Sequence, residues 1–322
     1  TIAEVLRQNG YATGAFGKWH QTPDWEASQA GPFDRWPTGE GFEKFYGFIG
    51  GETDQYEPTL FDGTTPVMRP PGAGYHLTKD LADQAIKWMR NVKAGASDKP
   101  FFLYFPTGGA HAPLQAPEDW IKPYRGKFDQ GWDRLRQETY QREKRLGVIP
   151  ANAKLTPRPA DLPAWDTLTS EQKLIAARLM EAYAGFLAHT DAQVGRLMQE
   201  LKDSGAYENT LVIYIVGDNG ASAEGGLLGS LNYMAAMQGL PEPDAQKLAR
   251  IDQIGAPSTY PHINAAWAWA MNAPFQWTKT VASHLGGTRN PMVVSWPKVI
   301  KDRGGLRSQF SYVSDIAPTI LD

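Results

Sequence analysis

The chain has 322 residues, 42% apolar, 21% charged and 11% aromatic, and its 32 basic and 35 acidic side chains leave a net charge of −3. This is ordinary globular composition, with no electrostatic footprint for nucleic acid or an anionic membrane. It contains no cysteine, which excludes disulfides, zinc-thiolate sites, iron–sulfur clusters and a cysteine nucleophile within these residues and leaves the compartment open.

Thr1-Ile2-Ala3-Glu4 reads as a helix start in which Thr1 caps the first turn and Glu4 reaches back to the Thr1 amide. Ile2, Val5 and Leu6 supply the apolar stripe and Gly10 ends it. The chain thus opens inside a structural element, without methionine, and is expected to be an excerpt of a longer polypeptide. Residues 11–17 read as a buried strand. Residues 78–92 place Leu81, Ala85, Ile86, Met89 and Val92 at helical spacing. Residues 100–106 (PFFLYFP) are a strand by aromatic density and proline bounds. Residues 107–168, rich in Pro, Gly, Trp and charge, read as an irregular excursion with one helical stretch over 132–144. Thr169-x-x-Gln172 is a second capping box, opening a long helix to about residue 203 with a break near Gly185. Residues 209–217 (NTLVIYIVG) form a continuous β-branched and aromatic run, as parallel central strands show. Residues 221–275 are a second insertion. It holds the longest unbroken apolar run, Ala265 to Met271, far short of the roughly 18 residues of a membrane span. Residues 292–297 read as a last strand, and Ser314 onward as the start of another capped helix. No signal peptide is visible. With an N-terminal segment expected to be missing, that assigns no compartment; periplasmic, secreted and cytoplasmic locations all stay open.

Alternating strands and helices argue for an α/β domain with a mainly parallel sheet flanked by helices, one unit over 1–322 with insertions at about 107–168 and 221–275. In such sheets ligands sit beyond the carboxyl ends of the strands. The residues found there are Gly17-Lys18-Trp19-His20, Thr107-Gly108-Gly109-Ala110-His111-Ala112-Pro113 and Gly217-Asp218-Asn219-Gly220. Before the last strand come Lys279 and His284-Leu285-Gly286-Gly287-Thr288-Arg289. Lysine and histidine in one pocket suit a tetrahedral oxyanion such as sulfate or phosphate. Asp218-Asn219 offers two hard oxygens, suited to Ca²⁺ or Mg²⁺ rather than zinc. Singly, each has a plain explanation: a surface turn at 17–20, a loop cap at His111, a β-turn at Asp218-Asn219-Gly220, a solvated Lys279, and His284 steadying the Gly-Gly turn. His76, His189 and His262 have no partner pattern and read as structural. Their joint occurrence at strand ends favours a site. Two oxygens are too few for Ca²⁺, which takes six to eight, and no nucleophile motif is present.

The ordered set Gly-Lys-Trp-His, His-Ala-Pro, Gly-Asp-Asn-Gly, then Lys followed by His-x-Gly-Gly-x-Arg-x-Pro, resembles the sulfatase family of the alkaline-phosphatase-like superfamily. Phe128-Asp129-Gln130-Gly131-Trp132-Asp133 and Gly286-Gly287-Thr288-Arg289-Asn290-Pro291 resemble its large bacterial arylsulfatase subgroup. Ser314-Asp315-Ile316-Ala317-Pro318-Thr319 is similar to the helix after the family's core sheet. The resemblance implies an alkaline-phosphatase-like core truncated at both ends. The family's first segment, with two metal-binding aspartates and a Cys or Ser converted to formylglycine, would precede Thr1, and a maturase would modify the full-length protein. It further implies that Asp218 and Asn219 bind Ca²⁺, with Mg²⁺ the lesser fit, and that Lys18 pairs with the sulfate. His20 would be the base that collapses the sulfated intermediate, and His111 and Lys279 would contact the leaving-group oxygen, His111 as proton donor. Many members have Glu where Leu285 stands, so no role passes to His284. The implied activity is sulfuric ester hydrolysis of a small-molecule or carbohydrate sulfate ester, with the 322 residues alone inactive. Two alternatives are a phosphodiester or phosphonate monoester hydrolase of the same superfamily, and a non-catalytic carbohydrate-binding or scaffold protein using its eleven Trp as stacking platforms.

Overall fold

The computed structural model describes residues 1–322. Thr1 caps α1 (Ile2–Gln8), its side-chain oxygen accepting from the Glu4 N–H. The reciprocal half of the expected box is absent. Glu4 turns instead to Arg7 and Gln8, because a guanidinium one turn away offers charge-assisted bonds that a single amide cannot match. β1 (Ala12–Lys18) follows, buried over its first six residues. Between it and the next helix lie three strands that the periodicity does not signal: β2 (Lys44–Phe48), β3 (Leu60–Asp62) and β4 (Thr65–Val67). Two of them are only three residues long, too short for a period to register. α2 (Leu77–Gly95) and β5 (Phe101–Tyr104) come next. The sheet order is β4-β3-β2-β1-β5. Its centre is parallel, β1 pairing with β2 on one side and β5 on the other, and its far edge is antiparallel.

The first excursion carries α3 (Glu118–Ile121) and α4 (Gly131–Leu146), and leads into α5 (Ser170–Asp203), whose capping box forms as expected. The expected break at Gly185 does not occur. α5 is continuous there, and the glycine instead marks a helix crossing, since a Cβ would lie 2.7 Å from Ile121 Cα. Then come β6 (Val212–Ile215), α6 (Tyr233–Met237), α7 (Asp244–Ala249) and α8 (Ala265–Met271). The two excursions pack on each other. Phe128, Trp132 and Trp165 from the first join Ile254, Trp267 and Trp269 from the second around Ile175, Leu179 and Phe186 of α5. Trp132, Trp165 and Trp267 meet at centroid distances of 4.7 to 5.7 Å. Trp132 and Trp267 donate their indole N–H groups to Pro163 O and Ala176 O, as buried indoles must. Of the eleven Trp, only Trp25 and Trp277 are exposed, which removes the observation behind the stacking-platform alternative.

After α8 come α9 (Leu285–Thr288), β7 (Met292–Ser295) and α10 (Ile316–Leu321). Here the expectation of a central parallel β6 is corrected. β6 pairs only with β7, antiparallel, in a separate two-stranded sheet, and Ile215 and Val216 are exposed. A continuous apolar run records two apolar faces and says nothing of a neighbour's direction. Ser314 does not cap α10 either. A 3₁₀ turn precedes it, and the Asp315 carboxylate accepts from the Tyr312 N–H at 2.7 Å.

His76 and His189 are structural. His76 caps α2, its Nδ1 accepting from Thr78 N–H at 3.3 Å while Nε2 donates to Gln115 O at 3.1 Å. The two rings lie 4.4 Å apart. Burial lowers His76 from 6.5 to about 3 and His189 from 6.5 to about 4, so both are neutral in the fold. Between pH 6.5 and those values the unfolded chain binds more protons than the folded one, so stability falls as the pH drops through that window. The melting temperature should therefore decline from pH 6.5 to about 4. In a His76→Asn, His189→Gln variant, which keeps a capping side chain at 76, the decline should be shallower.

Candidate active site

Lys18 ends β1. Gly17, at φ +139°, lets the strand run against the chain leaving β5; a Cβ there would lie 1.9 Å from Pro106 O. Lys18 N–H then bonds Pro106 O at 2.7 Å, which sets Lys18 beside the 107–113 loop. The segment after β6 is positioned by other means. Asp218-Asn219-Gly220 is no free turn: Gly220 N–H bonds Gly287 O at 2.9 Å, and a Cβ on Gly220 would sit 1.8 Å from Gly286 O. The Asn290 carboxamide brackets the Asn219 backbone at 3.0 and 3.1 Å, its oxygen toward the N–H. Asn272 accepts from Ala221 N–H at 3.0 Å and donates to Trp277 O at 3.1 Å, and Lys279 N–H bonds Ala221 O at 3.0 Å. Lys279 is thus tied to the chain that carries Asp218.

Of the residues singled out from sequence, Lys18, His20, His111, Asp218 and Lys279 lie within electrostatic reach of one another, while the Asn219 side chain donates to Gly220 O at 2.9 Å. The Lys18 ammonium is held below its ordinary pKa chiefly by burial, with repulsion from Lys279 adding and attraction to Asp218 opposing. His20 is lowered by burial, then by Lys18. His111 is lowered to about 4, again by burial first, with Lys279 and Lys18 adding. Its Nδ1–H donates to Ala112 O at 2.9 Å, so its Nε2 lone pair accepts from Lys279 Nζ at 3.0 Å. The pair is a neutral imidazole on an ammonium. His284 stays apart from these, bonded to Ser283 Oγ and lying against Trp277.

Residues not foreseen complete the network. Glu224 Oε2 accepts from Lys279 Nζ at 3.1 Å and from Ser222 Oγ at 2.7 Å. His262, read as structural from sequence, is 3% exposed, with Nε2 3.1 Å from Ser222 Oγ and 3.9 Å from Glu224 Oε2. His262, Ser222 and Lys279 hold the Glu224 carboxyl well below the usual range. On the other side, Glu52 accepts from Tyr260 OH at 3.2 Å and lies 3.6 Å from His111 Nδ1. Burial, with Glu224 adding, pushes Glu52 up. A strand-end search would have found Glu52 had β2 been visible. The Ser222-x-Glu224 spacing is the only signal for Glu224, a local side-chain bond of the kind loops use.

Backbone strain marks the same place. The chain's three non-glycine residues with positive φ are His20 (52°), Trp277 (69°) and Thr280 (75°). Each flanks Lys18 or Lys279, and such conformations cluster where surrounding structure holds a functional geometry.

Asp218 is exposed and Asn219 half-buried. Their oxygens are of the type Ca²⁺ or Mg²⁺ takes, but two side chains do not make a shell of six or more. Nowhere do three or more His, Asp or Glu converge as a metal cage. The donors fit a hard cation in kind and not in number.

A family model described as Sulfatase matches residues 1–322. A sulfatase of Schizosaccharomyces pombe, itself uncharacterized, is 31% identical over all of this chain and 57% of its own length. An arylsulfatase of Klebsiella aerogenes is 30% identical over all of this chain and 67% of its own. The crystal structure of a Bacteroides fragilis protein assigned as a sulfatase superposes with a TM-score of 0.55 at 18% identity, over 94% of this chain and 50% of that one, and shares its fold. The chain therefore spans between half and two thirds of the length of these proteins.

Proposed function

The chain belongs to the sulfatase family, and from that membership we propose that the whole protein hydrolyses sulfuric esters, with Lys18, His20, His111 and Lys279 acting on the sulfate group. The observation that carries this is the pairing of two part-buried lysines with a neutral His111 beyond the strand ends. Two ammonium groups offset the negative charge of the sulfate, and His111 and Lys279 serve the departing oxygen, on which charge grows as the S–O bond breaks. A sulfate ester's negative charge beside His111 raises that imidazole from about 4, so that it takes up a proton on binding and can give it to the leaving oxygen. His20, neutral near pH 7 by its lowered pKa, suits the opposite role of accepting a proton. Sulfatases are in general metal-dependent and formylglycine-modified. A formylglycine would supply the nucleophile, and with no cysteine here, a cysteine-derived one and the enzyme that makes it would concern residues outside these 322.

The substrate proposed is a small-molecule or carbohydrate sulfate ester. Assaying the whole protein with an aryl sulfate and an aryl phosphodiester side by side tests the proposal. A higher kcat/KM on the sulfate is expected, and a much higher value on the phosphodiester would establish the phosphodiesterase alternative. Asp218 and Asn219 are proposed as two of the ligands of one divalent cation, Ca²⁺ in preference to Mg²⁺ by their oxygen chemistry. Asp218→Ala in the whole protein should abolish both Ca²⁺ binding in calorimetry and turnover. Undiminished Ca²⁺ affinity would remove Asp218 from the metal site. No helix of the chain is long and apolar enough to cross a membrane.

A further inference from the structure

Resting on that reading of the site, we infer that Glu224 is a positioning residue for Lys279, fixing its ammonium so that one N–H is left for the sulfuryl oxygen. A lysine ammonium has three donors and no acceptor. Here one is taken by Glu224 Oε2 at 3.1 Å and a second by His111 Nε2 at 3.0 Å. Two fixed bonds at a tetrahedral nitrogen define where the third points. The stem is anchored as well, since Lys279 N–H is bonded to Ala221 O, three residues before Glu224.

Glu224 is itself held. Its Oε2 takes the Ser222 hydroxyl at 2.7 Å, its own N–H donates to Ser222 Oγ at 3.3 Å, and His262, buried, stands behind both. The carboxylate stays ionised because His262, Ser222 and Lys279 all favour its charge. A carboxylate at an anion site is otherwise a liability, since it repels the substrate. Its retention in contact with Lys279 is explained if it sets geometry. The charged and titratable groups around Lys279 are Glu224 and His111 in contact, with Lys18, His20, Glu52, Asp218 and His262 near. Of these, Glu224 alone accepts a hydrogen bond as a carboxylate from Nζ.

Charge and positioning make opposite predictions for Glu224→Gln. If the carboxylate contributes only repulsion, removing it should lower KM for an anionic ester and leave kcat alone. If it positions Lys279, kcat on an aryl sulfate should fall by about 10- to 100-fold without a lower KM, as displacements near 1 Å cost. Glu224→Asp should recover part of that loss. A second readout is independent of turnover. In ¹⁵N-resolved histidine spectra, His111 should show the Nδ1–H tautomer with Nε2 as acceptor, and Glu224→Gln should shift the Nε2 signal while those of His76 and His189 stay in place to report an intact fold. An unmoved His111 signal in Glu224→Gln, or a lowered KM with unchanged kcat, overturns the inference. A wild-type protein without sulfate ester turnover would instead overturn the proposed function, and the histidine spectra would still decide the Glu224–Lys279–His111 contact.

Discussion

Lys279→Ala in the whole protein is expected to lower kcat/KM on aryl sulfates by about a thousandfold, the cost of removing a strong preorganised donor from a developing oxyanion. The loss has two sources. The ammonium no longer meets the sulfuryl oxygens, and Glu224 keeps its carboxylate in the site without its counter-ion. Folding should be little affected, because Lys279 lies on a loop held by backbone bonds to Ala221 and by Asn272. Lys279→Arg is not a conservative exchange here. A planar guanidinium cannot meet His111 Nε2 and Glu224 Oε2 from one nitrogen with the geometry of an ammonium, so the arginine variant should stay closer to Lys279→Ala than to wild type. Kinetics with an unchanged melting curve check this, and a loss below tenfold would remove Lys279 from the reacting group.

His111→Ala should discriminate among substrates. For esters with poor leaving groups, protonation of the departing oxygen governs the rate, and general acid catalysis contributes about 10²- to 10⁴-fold. For activated aryl sulfates, whose leaving oxygen needs no proton, the loss should stay within about tenfold. A plot of log kcat/KM against leaving-group pKa should therefore steepen in the variant. Equal losses on both classes would show that His111 serves Lys279 and not the leaving group. The geometry already narrows the role. With Nδ1–H committed to Ala112 O and Nε2 accepting from Lys279, the free imidazole has no proton to give to a leaving oxygen, and it can act as the acid only after taking one up when the substrate binds.

Much of this site was legible because its residues lie at or beyond strand ends, and strands written as continuous apolar or aromatic runs announce themselves. Lys18 closes β1, and His111, Asp218 and Asn219 follow β5 and β6, so a strand-end search reaches them without coordinates. Glu52 obeys the same rule but follows β2, which the sequence pattern does not signal. Glu224 and His262 obey no such rule. They belong to an excursion whose local pattern is glycine, alanine and methionine, and they reach Lys279 through tertiary contacts between residues 222, 224 and 262. The same limit applies to the sheet. The run 209–217 shows that a strand exists, but its antiparallel pairing with β7 is a matter of how the chain returns from the second excursion. Gly185 reads as a helix breaker when it is seen alone. It is tolerated within a 34-residue helix because the approach of Ile121 requires a residue with no side chain.

On the proposed reading, the two lysines and His111 form the seat of a tetrahedral anion. A crystal structure of the protein with bound inorganic sulfate, or with vanadate in its place, tests it most directly. The predicted result is density for the anion within hydrogen-bond distance of Lys18 Nζ and Lys279 Nζ, beyond the ends of β1 and β6. An anion seated instead in the arginine-lined cleft along α4, where Arg134, Arg136 and Arg158 gather, with nothing between Lys18 and Lys279, would contradict it.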